Sequence, residues 1–161
     1  AVACACDHRE ELQKVLRQSG LDVNWANPAD GSTAAHFAAQ LGHGECLSMI
    51  IGYGGINLSK TSAEGEAPIH AARRNGRIAC LALLLDYGVG MNVRTAGERA
   101  LTPVMYSCVY GHVKCLALLL DRKADPNLAG INGITAAHYA CMMGQVKCLP
   151  VSYTLLTLAD D

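Results

Sequence analysis

Aromatic side chains are scarce. The 161 residues hold one Phe, one Trp and six Tyr, 5% of the chain, although 51% are hydrophobic. A sandwich core rich in Tyr, Phe and Trp is therefore excluded. The apolar share comes mostly from Ala, Leu, Val, Ile and Cys, which favours close helix packing. Charge of one sign is lacking too: 13 basic residues stand against 14 acidic ones, for a net −1. No strong field exists to attract nucleic acid or an anionic membrane, so neither is an expected partner. No apolar run reaches the roughly 18 residues that span a bilayer. The longest helical candidates, "CLALLL", stop at Asp86 and Asp121. The chain opens on "AVACAC" without Met. The expectation is a processed or partial chain, with any targeting segment upstream.

Signatures of catalysis are missing as well. No Gly-rich phosphate loop precedes a basic residue in the required order, and no G-x-S-x-G occurs. Glu10, Glu11, Asp160 and Asp161 read as solvated surface or tail. No catalytic residue and no cofactor is expected. Cys4, Cys6 and His8 in "CACDH" are the best case for a metal. No second pair follows at zinc-finger spacing, so no metal site is expected either.

What the chain does have is repetition. "CLALLLD" occurs at Cys80–Asp86 and again at Cys115–Asp121. Cys46, Cys80, Cys115 and Cys148 step by 34, 35 and 33 residues, and each is followed by Leu. Gly42, Gly76, Gly111 and Gly144 stand four residues before them. "TAAH" (33–36), "APIH" (67–70), "TPVM" (102–105) and "TAAH" (135–138) end six residues before those glycines. Three landmarks share one period, the mark of a repeat array. Thr before a small residue or Pro starts a helix, with Pro68 and Pro103 in the first turn, where a missing N–H costs nothing. The four glycines end that helix, because Gly accepts the left-handed cap conformation. Cys115, Leu116, Leu119 and Leu120 then fall at helical spacing on a second helix. Gly54, Gly88 and Asp125–Asn127 break it into a turn. One copy alone cannot bury its apolar face, so the copies must stack.

These motifs resemble the ankyrin repeat. The chain offers "DGSTAAHFAAQLGHGECLSMII", "EGEAPIHAARRNGRIACLALLLDYG", "LTPVMYSCVYGHVKCLALLLDRKADPN" and "NGITAAHYACMMGQVKCL". An earlier copy is visible in Leu12, Leu16, Gly20, Asp22 and Asn24. The resemblance implies an all-α solenoid of stacked helix–turn–helix copies with extended loops. It would form a single domain over 1–161, with copies at about 1–29, 30–63, 64–98, 99–131 and 132–161, the last degenerate.

Repeat-period cysteines stand where the family has small aliphatic residues. Helices pack about 8–10 Å apart, whereas a disulfide needs Cα atoms within about 7 Å. Cys46, Cys80, Cys115 and Cys148, and also Cys108 and Cys141, therefore read as small buried hydrophobes, which suits a reducing, intracellular setting. The resemblance implies that His36, His70 and His138 bridge copies by hydrogen bonds, with Met105 lacking that bridge. Arg73 fills a small-residue slot and is expected to snorkel out beside Arg74. Pro150 should stop or kink the last second helix near Leu149.

By the same resemblance the function is non-catalytic binding of a protein partner, through the exposed face of the first helices, the loop tips and the C-terminal end. The pairs before the glycines are Gln40–Leu41, Arg74–Asn75, Val109–Tyr110 and Met142–Met143. Trp25, Glu64, Glu66, Glu98, Arg99, Ile131 and Asn132 stand at loop tips. The candidate partner-binding residues are Trp25, Leu41, Arg74, Arg99, Tyr110, Met142, Met143, Leu155, Leu156 and Leu158. Arg73, Arg74 and Arg99 are expected to form a basic patch. Two alternatives stand beside an interaction scaffold. One is a structural accessory subunit of a larger, organellar multiprotein assembly. The other is the regulatory repeat region of a longer enzyme or signalling protein.

Overall fold

The structure is a computed structural model and describes residues 9–17, 20–96 and 100–150. Its helices are α1 (Arg9–Leu16), α2 (Ala34–Leu41), α3 (Gly44–Tyr53), α4 (Pro68–Arg74), α5 (Ile78–Asp86), α6 (Pro103–Val109), α7 (Val113–Asp121) and α8 (Ala136–Met142). A 3-10 turn spans Ile131–Gly133. No strand occurs among the described residues, where a single isolated bridge joins Ala26 to Thr33. The fold is all-α. Two compact units form, Ala1–Val89 and Gly90–Asp161.

Helix starts follow from sequence. Thr33, Thr102 and Thr135 precede α2, α6 and α8 in extended conformation, while Pro68 and Pro103 open α4 and α6. The helix ends repeat as well. Gly42, Gly76, Gly111 and Gly144 all have positive φ, between 65° and 85°. The residue after each glycine donates its N–H five residues back. His43 reaches Ala38, Arg77 reaches Ala72, His112 reaches Ser107 and Gln145 reaches Ala140, at 2.7–2.9 Å. Such a bond over a left-handed residue closes a helix and turns the chain back.

Two of these ends carry a side chain from the following copy. A Cβ on Gly42 would stand 2.8 Å from Arg77 Cδ, and one on Gly111 would collide with the Gln145 carboxamide. Arg77 Nε also donates to Gln40 O at 3.2 Å. Arg77 and Gln145 each directly follow the next copy's glycine, so one device recurs in both units.

In the first unit α2 packs on α3 and α4, α1 on α3, and α5 on α3 and α4. Its core is Leu12, Ala35, Ala38, Ala39, Leu47, Ile50, Ile69, Ala72, Leu81 and Leu84 with Cys46 and Cys80. In the second unit α6 packs on α7 and α8 around Val104, Met105, Cys108, Cys115, Leu116, Leu119, Leu120, Ala140 and Cys148. Small side chains at the contacts allow the helices to approach closely.

Three expectations are corrected here. Arg73 does not snorkel: it is fully buried, and its Nε donates to Ile69 O at 3.0 Å. Its aliphatic stem fills the slot, and the guanidinium stays inside the fold. Cys141 is exposed, unlike Cys108 one period earlier. The last second helix does not stop near Leu149. Gln145 to Lys147 form a turn and residues 148–150 are helical, which puts Pro150 in a first turn, where its missing N–H costs nothing.

Cysteine reactivity should separate these environments. Burial pushes the Cys80 thiol up to about 11 and also raises Cys148. Two units above the ordinary value leave roughly a hundredfold less thiolate at any pH below both, and the thiolate is the reacting species. Alkylation at pH 8 read by mass spectrometry should mark Cys141 first among the described cysteines. Cys46, Cys80, Cys115 and Cys148 should react only after denaturant is added. Prompt native labelling of Cys80 would contradict the buried assignment.

Candidate functional site

The loop tips and first helices build a cleft in the first unit. Asn27 N donates to Ser32 O and Gly31 N to Asn27 O, which folds 26–33 into a tight hairpin turn. Ser62 N donates to Glu66 O and Gly65 N to Ser62 O in the next tip. Ala63 N donates to Asp30 O at 2.9 Å and locks one tip onto the other.

His36 makes the second tie between the copies. Its Nδ1 accepts Thr33 N–H at 3.1 Å and lies 2.9 Å from Thr33 Oγ1. Nδ1 is thus the acceptor, so Nε2 carries the proton and donates to Glu66 O at 2.9 Å. The ring is almost fully buried. The bridging role expected for His36 is therefore present. Ala67 N donates in the same local way to His70 Nδ1, and Thr135 N to His138 Nδ1. His138, however, is exposed. At Met105 the local half survives in sulfur: Thr102 N donates to its Sδ at 3.5 Å.

Burial holds the His36 pKa below its ordinary 6.5, outweighing the pull of the Glu66 carbonyl. The unfolded chain therefore protonates this ring before the folded one does. Stability is fully present above pH 6.5 and is lost as pH falls from there through the lowered folded value. Urea midpoints should drop between pH 7 and pH 5. His36→Gln should flatten that part of the slope while lowering stability throughout. An unchanged slope in the variant would remove His36 as its source.

Between these parts lies a cleft of about 370 Å³. Gln40, Arg74 and Asn75 from the two first helices face Asp30, Glu64 and Glu66 from the two tips, with His36 at the base. Arg74 Nη1 contacts Glu64 Oε2 at 3.1 Å and Glu66 Oε2 at 3.4 Å. Asp30 Oδ1 accepts Ser32 N–H at 3.0 Å, and Asn75 Nδ2 donates to Ala71 O at 3.0 Å. Spacing alone reveals that Gln40, Glu64, Glu66, Arg74 and Asn75 lie at repeat-equivalent edges. It does not reveal Asp30 and His36 as co-lining groups, since their tip and helix positions read as turn and core.

The other candidate residues are dispersed. Trp25 is 53% exposed and borders a separate apolar cleft of about 170 Å³ with Leu12, Val15, Leu16 and Ile50. Leu41 is exposed but does not line the polar cleft. In the second unit Tyr110 stacks between Tyr106 and His112, with ring centroids 6.0 and 6.2 Å away. Met142 and Met143 are 68% and 52% exposed, and Val146 beside them is 70% exposed. Arg99, Leu155, Leu156 and Leu158 lie outside the described residues, as do Glu98, Cys4, Cys6 and His8. The basic patch is corrected: Arg73 is buried and Arg74 is held by two carboxylates. Among the described residues no group of three or more His, Cys, Asp or Glu side chains is arranged to hold a metal ion. No helix among them is long and apolar enough to cross a membrane.

Family models described as ankyrin repeats match residues 1–95, with three copies, and residues 104–151. Comparison with curated proteins gives no match.

Proposed function

The chain belongs to the ankyrin-repeat family, and from that premise we propose that it is a non-catalytic module holding an extended segment of a protein partner in the cleft between its second and third copies. Repeats of this family generally serve as protein–protein interaction modules and are typically non-catalytic. The observation that carries the reading is the convergence of Gln40, Arg74 and Asn75 with Glu64 and Glu66 in one cleft, on hairpin tips tied by backbone bonds. Rigid tips cost little ordering entropy when a partner docks, which favours affinity.

Gln40→Trp tests it. Gln40 is exposed, so the change should leave the melting temperature within about 2 °C while filling the cleft. Partners captured by the natural protein from its source cells should be lost. Undiminished capture of every partner would move the binding site elsewhere.

The second unit favours a further surface. Met142, Met143 and Val146 leave a cluster of apolar side chains in water, beside the sequence that carries Leu155, Leu156 and Leu158. Clusters of this kind often mark contact sites. They support the reading as an accessory subunit seated in a larger assembly by its C-terminal end. Serine at Met142, Met143 and Val146 should release the chain from such an assembly while the cleft still captures its segment.

A further inference from the structure

The polar cleft has a sign. Of its lining side chains, Asp30, Glu64 and Glu66 are acidic and Arg74 is basic. Three carboxylates against one guanidinium leave two negative charges in excess. His36 adds none at neutral pH, because its Nδ1 accepts a backbone N–H and only Nε2 carries a proton. Gln40 and Asn75 are uncharged amides. Arg74, the one cation the lining could offer to an acidic partner, is already held by Glu64 and Glu66 at 3.1 and 3.4 Å. An anion entering the cleft would have to displace one of those carboxylates and would then face the other two. A cation would meet Asp30 and the exposed side of Glu64, whose side chain is 71% accessible.

The cleft also demonstrates which cation it fits. A guanidinium already sits between two of its carboxylates, donating to both. The amide heads of Gln40 and Asn75 flank it at a spacing that an extended peptide can bridge. From this geometry we infer that the cleft takes an extended partner segment bearing arginine or lysine, whose cationic head group is received by Asp30 and Glu64. This rests on the reading of the cleft as the binding site and fixes the partner's charge. It reverses the sign that the apparent run of arginines suggests.

Three labelled nine-residue peptides test it, with arginine, glutamate or glutamine at three positions in a common serine–alanine background. Amide shifts of Asp30, Glu64, Glu66 and Asn75 in the intact chain report occupancy of the cleft. The arginine peptide should move them, with affinity falling as salt is raised. Glu64→Lys should weaken it at least about tenfold. Asp30→Asn, which preserves the acceptor for Ser32 N–H, should weaken it by a smaller factor. Both variants should melt as the parent does. If the glutamate or glutamine peptide fills the cleft as well as the arginine peptide, the charge assignment falls while the binding reading stands. Unaltered arginine-peptide affinity in Glu64→Lys has the same meaning. If no peptide moves a cleft resonance, both fall together.

Discussion

Leu116→Ala is expected to lower the unfolding free energy by about 3–4 kcal/mol, within the range of buried leucine truncations. Leu116 is completely buried in α7, among the small and aliphatic side chains of α6 and α8. Its removal deletes apolar contact and leaves a cavity that helices closed by glycine caps cannot easily collapse. Leu81 holds the same place in the other "CLALLLD" and is equally buried, so Leu81→Ala should cost about as much. The identical heptapeptides diverge one turn later. Leu120 is 2% exposed, whereas Leu85 is only half-buried. Leu120→Ala should therefore cost more than Leu85→Ala, despite identical neighbours in sequence. Urea denaturation of the four variants decides it. Equal losses at 85 and 120 would show that the heptapeptide, and not its surroundings, sets the energetics.

A second large loss is expected from Gly31→Ala, about 2–4 kcal/mol. Two effects add. Gly31 has φ +69°, where an L side chain costs about 1–2 kcal/mol. Its Cβ would also stand 3.0 Å from Ala63 N and 3.3 Å from Ser62 C, both backbone atoms that cannot swing aside. Relieving that contact parts the two tips and strains the bond from Ala63 N to Asp30 O, which supports the cleft. Gly133→Ala is the control: φ is +72°, but nothing lies within 4 Å of its Cβ position. It should show the conformational cost alone. If Gly31→Ala loses no more than Gly133→Ala, the close approach of the tips contributes nothing. A cleft-directed peptide should in addition bind Gly31→Ala more weakly, even where the protein remains folded.

The fold is legible in the sequence because period, caps and helix breakers are local properties repeated in phase. Thr33, Gly42, Cys46 and Leu47 each announce their role by residue type, and their equivalents agree. Three residues escape that logic. Arg73 stands in an alanine slot, and sequence cannot show that its stem packs and its Nε finds Ile69 O. Cys141 has the slot of Cys108 but not its cover, because burial depends on what lies on both sides of a helix. Pro150 reads as a breaker only if the helix begins where the earlier ones begin, and here a turn delays it to Cys148. The cleft was half legible. Its edge residues follow from their place before the glycines and at the tips. The pairing of Arg74 with Glu64 and Glu66 depends on side-chain directions across two elements, which periodicity does not encode.

Arg77 and Gln145, lying over the glycine ends of the preceding copies, bear on how the protein opens. Each covers a turn whose amides bond back into a helix it does not belong to. Fraying of α2 at Gly42 and His43 cannot expose those amides to solvent until Arg77 lifts away. Arg77 in turn is anchored by its own N–H to Ala72 in α4. Hydrogen exchange at the end of one copy is thereby tied to the integrity of the next. The smallest piece that opens within the first unit is then a pair of neighbouring copies, not one helix hairpin, which makes local excursions there rarer than the shortness of the helices suggests.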